Sequence, residues 1–204
     1  MSNRSGIIAI AILAIHFLFT QLFTDYFSKA PLREVIDLKS TYSENFNIYV
    51  PMEQTYEINM LFDREEKEFE YLKSVLGNMT NKDENGIPLN IEWVLSEGNA
   101  VVKSDELMAT NSCGWSQAQV YRCLGKFKVE PGEYQFNIII KSPHSEFSNF
   151  KTHLSINYNF KNAHTWQTAY IFWGMLFNVF VAPFIGGIIF IILIVRYIRH
   201  LTSH

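Results

Sequence analysis

The chain is sparing in cysteine, and it carries acidic residues only in its middle. Among its 204 residues are two cysteines, Cys113 and Cys123, with six prolines and ten glycines. Two cysteines are too few for a disulfide-rich scaffold. So few prolines and glycines exclude a collagen-like or low-complexity chain. All 20 acidic residues lie between Asp25 and Glu146, which leaves the first 24 and the last 58 positions without one. No G-x-S-x-G, H-E-x-x-H or phosphate-cradling glycine loop occurs, so the reactions those motifs announce have no signature here. A net charge of −3 lacks the concentrated basic face that phosphate backbones need, and no nucleic-acid partner is expected.

What is present is apolar: 48% of the residues are hydrophobic and 15% aromatic, enough for a core and for membrane segments. The two longest uncharged runs occupy the acid-free ends. Gly6 to Phe23 has 18 residues and Ala169 to Val195 has 27. A hydrocarbon core of roughly 30 Å takes about 20 helical residues. The second run, about 40 Å long as a helix, predicts a tilted or partly interfacial transmembrane span, and the first is long enough to cross. The competing reading of the first run is a cleaved signal peptide, with Arg4 as its charged start and Ser28 to Ala30 as its small-residue cleavage site. The run is longer than an ordinary signal core, and Pro31 directly after the cut would begin the mature chain poorly, so an uncleaved anchor is the expectation.

Cationic residues set the orientation. Arg4 precedes the first run and Arg196 and Arg199 close the second, with no acid to offset them, so both ends are expected in the cytoplasm. The expected layout is a cytoplasmic N-terminus over 1–5, a span over 6–23, an outer domain over 24–165, a span over 169–195 and a cytoplasmic tail over 196–204. The outer part holds 14 basic and 20 acidic residues, a net of −6, which suits a translocated domain. The predicted location is a bacterial inner (plasma) membrane, with the central domain in the periplasm or outside. Within the spans His16 and Asn178 both fall about 14 to 15 Å deep if the helices run oppositely, and a polar pair at that depth is expected to meet. Ala182 and Gly186 offer a small-residue packing face, with Pro183 bending the helix nearby.

An outward position also decides the cysteines. Nine residues separate Cys113 from Cys123, which fits neither a C-x2-C zinc pair nor a C-x-x-C redox site, and a disulfide persists in oxidising surroundings. The spacing and place predict a Cys113–Cys123 disulfide.

The middle alternates with period two. Tyr56, Ile58, Met60 and Phe62 share one face, as do Ile87, Leu89, Ile91, Trp93 and Leu95, then Tyr134, Phe136, Ile138 and Ile140, then Leu154, Ile156, Tyr158 and Phe160 with Ser155, Asn157 and Asn159 outward. Phe46 to Val50 and Gln119 to Val129 are further strands, with Gly125 as a bulge. One helix interrupts them, from Asp63 as N-cap, with Glu66 in capping-box spacing, to Gly77 after its end; Phe69, Leu72, Val75 and Leu76 form its apolar stripe. Six or so strands with tight turns such as Glu130 to Glu133 predict a mainly β protein. It would be an antiparallel β-sandwich with one short helix, flanked by two transmembrane helices.

The order of a strand, Asp63-Arg64, a short helix ending at Gly77, Gly86-Ile87-Pro88-Leu89 and Val129-Glu130-Pro131-Gly132-Glu133-Tyr134 resembles an uncharacterised family of bacterial envelope domains, over roughly Phe46 to Phe160. The resemblance implies a small β-sandwich held at the membrane by a lipid or a helix, with an immunity or accessory role. No Cys follows the first apolar run, so the lipoprotein form does not apply.

Candidate chemistry is sparse. His144, His153 and His164 with Glu146 do not make a ligand set, since His153 is on a polar strand face and His144 in a loop. No metal, cofactor or catalytic residue is predicted. Asn78-Met79-Thr80 is a glycosylation sequon of no consequence in bacteria. The expected function is a membrane-anchored, extracytoplasmic protein-binding module that is not an enzyme, acting as an immunity protein against a toxin. The alternative is a structural or assembly subunit of a membrane complex.

Overall fold

The computed structural model describes residues 3–79, 85–141, 143–159 and 165–202. They fall into two compact units, 29–163 and the two chain ends, 1–28 with 164–204.

The first unit is a sandwich of nine strands. These are β1 (Leu32–Ile36), β2 (Tyr42–Val50), β3 (Gln54–Asp63), β4 (Leu89–Glu97), β5 (Ala100–Ala109), β6 (Gly114–Trp115), β7 (Gln119–Val129), β8 (Gly132–Lys141) and β9 (Thr152–Tyr158). They build a five-stranded sheet in the order β1-β9-β3-β7-β6 and a four-stranded sheet in the order β2-β8-β4-β5. Every ladder is antiparallel. The period-two residues within β3, β4, β8 and β9 face one another, with Ile58, Trp93, Phe136 and Ile156 in one core; Ile87, just before β4, packs against it, and Phe160 lies outside the described residues.

Three of the nine strands have no period-two signal. β1 has five residues and β6 two. β5 is an edge strand, exposed at eight of its ten positions, and its alternation breaks at Lys103 and Asp105, which follow the inward-facing Leu107 and Ala109 in its register with β4. Lys103 donates to the Lys126 carbonyl of the opposite sheet at 2.7 Å. A charge pointing inward from a sheet edge discourages further strand addition.

The bulge falls where Gly125 predicts it. Ile58 on β3 pairs Gly125 and the next residue, Asn59, pairs Cys123, so Leu124 is the extra residue. Trp93 explains the glycine: a Cβ on Gly125 would lie 2.7 Å from the indole Cζ2, and the indole N–H donates to Leu124 O at 3.1 Å.

The helix start differs from expectation. α2 spans Phe69–Leu76, preceded by Glu68, whose side chain caps nothing. Asp63 closes β3 instead, where its carboxylate accepts from the Gln119 amide at 2.7 Å and sits 3.5 Å from His153 Nε2. These tertiary partners take the oxygen that a cap would use, and Glu65 turns the chain at φ 47° before the helix begins. Leu72, Val75 and Leu76 are buried as predicted, but Phe69 is 54% exposed. Ser155, expected outward, is buried; in register it lies between Arg33 of β1 and Asn59 of β3, longer side chains on the same face. A short 3₁₀ turn over Ser145–Asn149 is capped by His144 Nδ1, which accepts from the Glu146 amide.

The second unit is helical. α1 (Asn3–Ser28) packs on α3 (Trp166–Leu176) and α4 (Ala182–Thr202), which are joined by a π-helical turn over Phe177–Val181. Stretches of 25 residues (Arg4–Ser28) and 34 residues (Trp166–Arg199) are long and apolar enough to cross a membrane. Pro183 follows the π turn; it has no N–H for the carbonyl four residues back, and wider bonding relieves that break. Thr165 opens α3 with a reciprocal capping box to Thr168.

Candidate functional site

The surface with the most sharply defined chemistry lies where β7 passes the end of α2. β7 alternates there, so Tyr121 and Cys123 face out while Arg122 faces in. Arg122 is fully buried and among the described residues pairs with no carboxylate; its five N–H groups meet five backbone carbonyls. Nε donates to Leu76 O at 3.1 Å, Nη1 to Ile87 O at 2.9 Å and Ala109 O at 3.0 Å, and Nη2 to Val75 O at 2.9 Å and Thr110 O at 3.1 Å. The Phe147 ring lies 5.3 Å from the guanidinium carbon. Burial pushes the guanidinium down to about 10, well above neutrality, so it stays charged. Two of the carbonyls belong to the C-terminal end of α2, where the helix dipole favours a cation. This one side chain ties α2, the start of β4 and the end of β5 together. Its sequence context, a lone basic residue at an inward strand position between Val120 and Leu124, is the signal by which it could have been found.

The same knot explains the glycines. Gly77 ends α2 at φ 81°, a conformation that favours glycine. Gly86 crosses the backbone of Leu76 and Gly77 with no room for a Cβ, while its N–H donates to Thr110 O at 3.0 Å.

On the outside, Cys113 and Cys123 are joined by a disulfide with Cα atoms 5.8 Å apart, as the spacing predicts. The Cys113 amide also donates to Tyr121 O at 2.8 Å. The disulfide anchors β6 and with it Trp115. The indole donates to Ser112 Oγ at 2.9 Å, and that hydroxyl donates to Gly77 O at 2.9 Å. Trp115 packs on Phe69 at 5.1 Å between centroids, Arg64 lies over Trp115 at 5.6 Å, and Lys73 over Phe69 at 5.4 Å. A ladder of cation, indole, phenyl and cation therefore runs along α2. Arg64 is further held by its bond to Ser116 O at 3.0 Å.

In the helical unit the contacts pair His16 with Phe177, Thr20 with Tyr170 and Gly174, and Phe23 with Trp166. The course is antiparallel, so Arg4 lies toward the same end as Arg196 and Arg199. His16 meets the Phe177 ring edge-on at 4.9 Å. His16 Nε2 and Asn178 Oδ1 are buried without a hydrogen-bond partner among the described residues, so no bond joins them. Gly186 lies near Leu13, whereas a Cβ on Gly174 would come 2.8 Å from Thr20 Cγ2. Gly174 is thus a close-approach residue that the small-residue spacing of Ala182 and Gly186 does not reveal. Among the described residues no cluster of His, Cys, Asp and Glu could hold a metal ion, and His164 lies outside them.

These features define a two-sheet β-sandwich on a chain with two helical stretches of membrane-crossing length. The sequence model of DUF5625, a domain of unknown function, matches residues 36–158, and the chain belongs to that family. No curated protein matches it. A crystal structure of GEBA250068378 from Sulfurospirillum deleyianum is similar at a TM-score of 0.48 and 17% identity, covering 64% of this chain and 98% of that one. TmCBM61, solved with β-1,4-galactotriose, is similar at a TM-score of 0.24 and 10% identity over 61% of this chain and 64% of its own. At these scores neither likeness bears on function.

Proposed function

We propose that this protein is a bacterial inner-membrane protein whose sandwich stands in the periplasm and binds another protein, as an immunity protein binds a toxin, without catalysing a reaction. The observation that carries the reading is Phe69, which is 54% exposed and packs on Trp115, itself contacted by Arg64 and adjoining the disulfide-closed loop. Large aromatics and arginine, prepaid in conformational entropy by such packing, dominate protein interfaces. The disulfide supports an oxidising compartment, and the two membrane-length stretches support tethering. A tether raises the effective concentration of the surface near a partner that attacks the membrane.

Deletion of the gene is expected to make cells sensitive to their siblings, and wild-type protein to restore protection. A Phe69→Ser, Trp115→Ser variant present at normal level should not. Unchanged survival of the deletion strain would overturn the immunity reading.

The second reading is an assembly subunit of a membrane complex. It is favoured by His16 and Asn178, whose unmet polar atoms within an apolar helical unit call for a protein partner.

A further inference from the structure

Asn59 lies on the outer face of the five-stranded sheet, yet it is only 5% exposed, and its Oδ1 has no hydrogen-bond partner among the described residues. It borders a cleft of about 360 Å³ whose other walls include Glu57, Tyr121, Asn157 and the Cys113–Cys123 disulfide. That volume is within the ordinary range of small-ligand sites, ~300 to 1,000 Å³. The β7 bulge falls beside it: Asn59 pairs Cys123 on one side and Ser155 on the other, and the extra Leu124 follows at once. Bulges recur next to binding sites because they re-aim side chains.

The lining restricts the ligand. Glu57 is neutralised by Lys126 at 2.7 Å, so neither an anion nor a cation finds an uncompensated partner there. An apolar ligand would cover the Asn157 amide and the Glu57–Lys126 pair without replacing the water they bond. A peptide strand cannot add to β3, which is already paired by β7 and β9. A neutral ring with its own donors and acceptors, and one flat apolar face for the half-buried Tyr121, suits the amide and aromatic walls. We propose that this cleft binds a sugar unit, with the Asn59 and Asn157 amides bonding its hydroxyls and Tyr121 stacking on the ring. The site is separate from the Phe69–Trp115 surface and does not depend on the immunity reading.

The test uses the full chain in detergent with ¹⁵N-labelled asparagine, titrated in separate arms with N,N′-diacetylchitobiose and with cellobiose. Saturable shifts of the Asn59 side-chain amide are expected in at least one arm, and the pair of arms tells an acetamido sugar from a hydroxyl-only one. Asn59→Ala and Asn157→Ala should each weaken binding by about tenfold. Asn59→Ala should also leave the melting temperature unchanged or higher, because it removes a buried oxygen that has no partner among the described residues. No shift in either arm, shifts that persist unweakened in Asn59→Ala, or a lowered melting temperature in that variant would each overturn the proposal.

Discussion

At the scale of single residues, Arg122 shows how a charge can sit inside a β-sandwich. A buried cation is expensive unless every donor is met, and the planar fork of arginine meets five carbonyls that a lysine's compact ammonium cannot span. Arg122→Met removes the donors but leaves the carbonyls, and although Val75 O and Thr110 O keep the amides of Ile87 and Gly86, Leu76 O and Ala109 O lose this donor. The expected loss is at least about 3 kcal/mol, read as a lowered thermal or urea midpoint in the tryptophan fluorescence of the sandwich. Arg122→Lys should recover only part of it. An unchanged midpoint in the Met variant would show that the five bonds contribute nothing net. Two tyrosines repeat a smaller device: the third residue of β3, Tyr56, donates to Met52 O at 3.1 Å, and the third of β8, Tyr134, to Glu130 O at 2.8 Å. Each hydroxyl pins the turn that leads into its strand, and burial raises both phenols, so neither ionises at neutral pH.

At the scale of elements, β6 and α2 depend on each other across sequence. β6 has only two residues and pairs with β7 alone, too little ladder to hold an indole in place. The disulfide supplies what the ladder lacks. Closing a loop this short stabilises by roughly 2 to 3 kcal/mol, so Cys113→Ser with Cys123→Ser should lower the melting temperature of the sandwich by roughly 6 to 15 °C. Reductant should reproduce the drop in the wild type and change nothing in the variant, and membrane insertion should be the same for both. A variant that melts with the wild type would show that the bond is incidental to the fold.

At the scale of the whole molecule, two stretches long and apolar enough to cross a membrane flank the sandwich in sequence. The cationic flanks Arg4, Arg196 and Arg199 call for both ends in the cytoplasm, and the disulfide calls for an oxidising compartment around the sandwich. Alkaline phosphatase fused after Lys161 should therefore be active, and fused after His204 inactive. The opposite pattern would overturn the orientation. Recovery of protein whose first residue is Pro31 would instead mean that the first apolar run is cleaved.

The sequence by itself determined the sandwich, the disulfide and the two apolar stretches, because each rests on a local or compositional signal: period two in β3, β4, β8 and β9, cysteine spacing, and uninterrupted hydrophobicity. It did not reveal β5, whose edge position lets charged residues stand where alternation requires apolar ones. Nor did it reveal the true start of α2, since the Asp63 carboxylate was drawn to Gln119 and His153 instead of to the helix. Only the tertiary structure decided that Arg122 would organise the interior, that Phe69 would stay exposed against Trp115, and that Asn59 would be buried on an outward face. Each of these depends on groups distant in sequence arriving at one place, and a residue's own neighbours along the chain carry no record of what will meet it across a sheet.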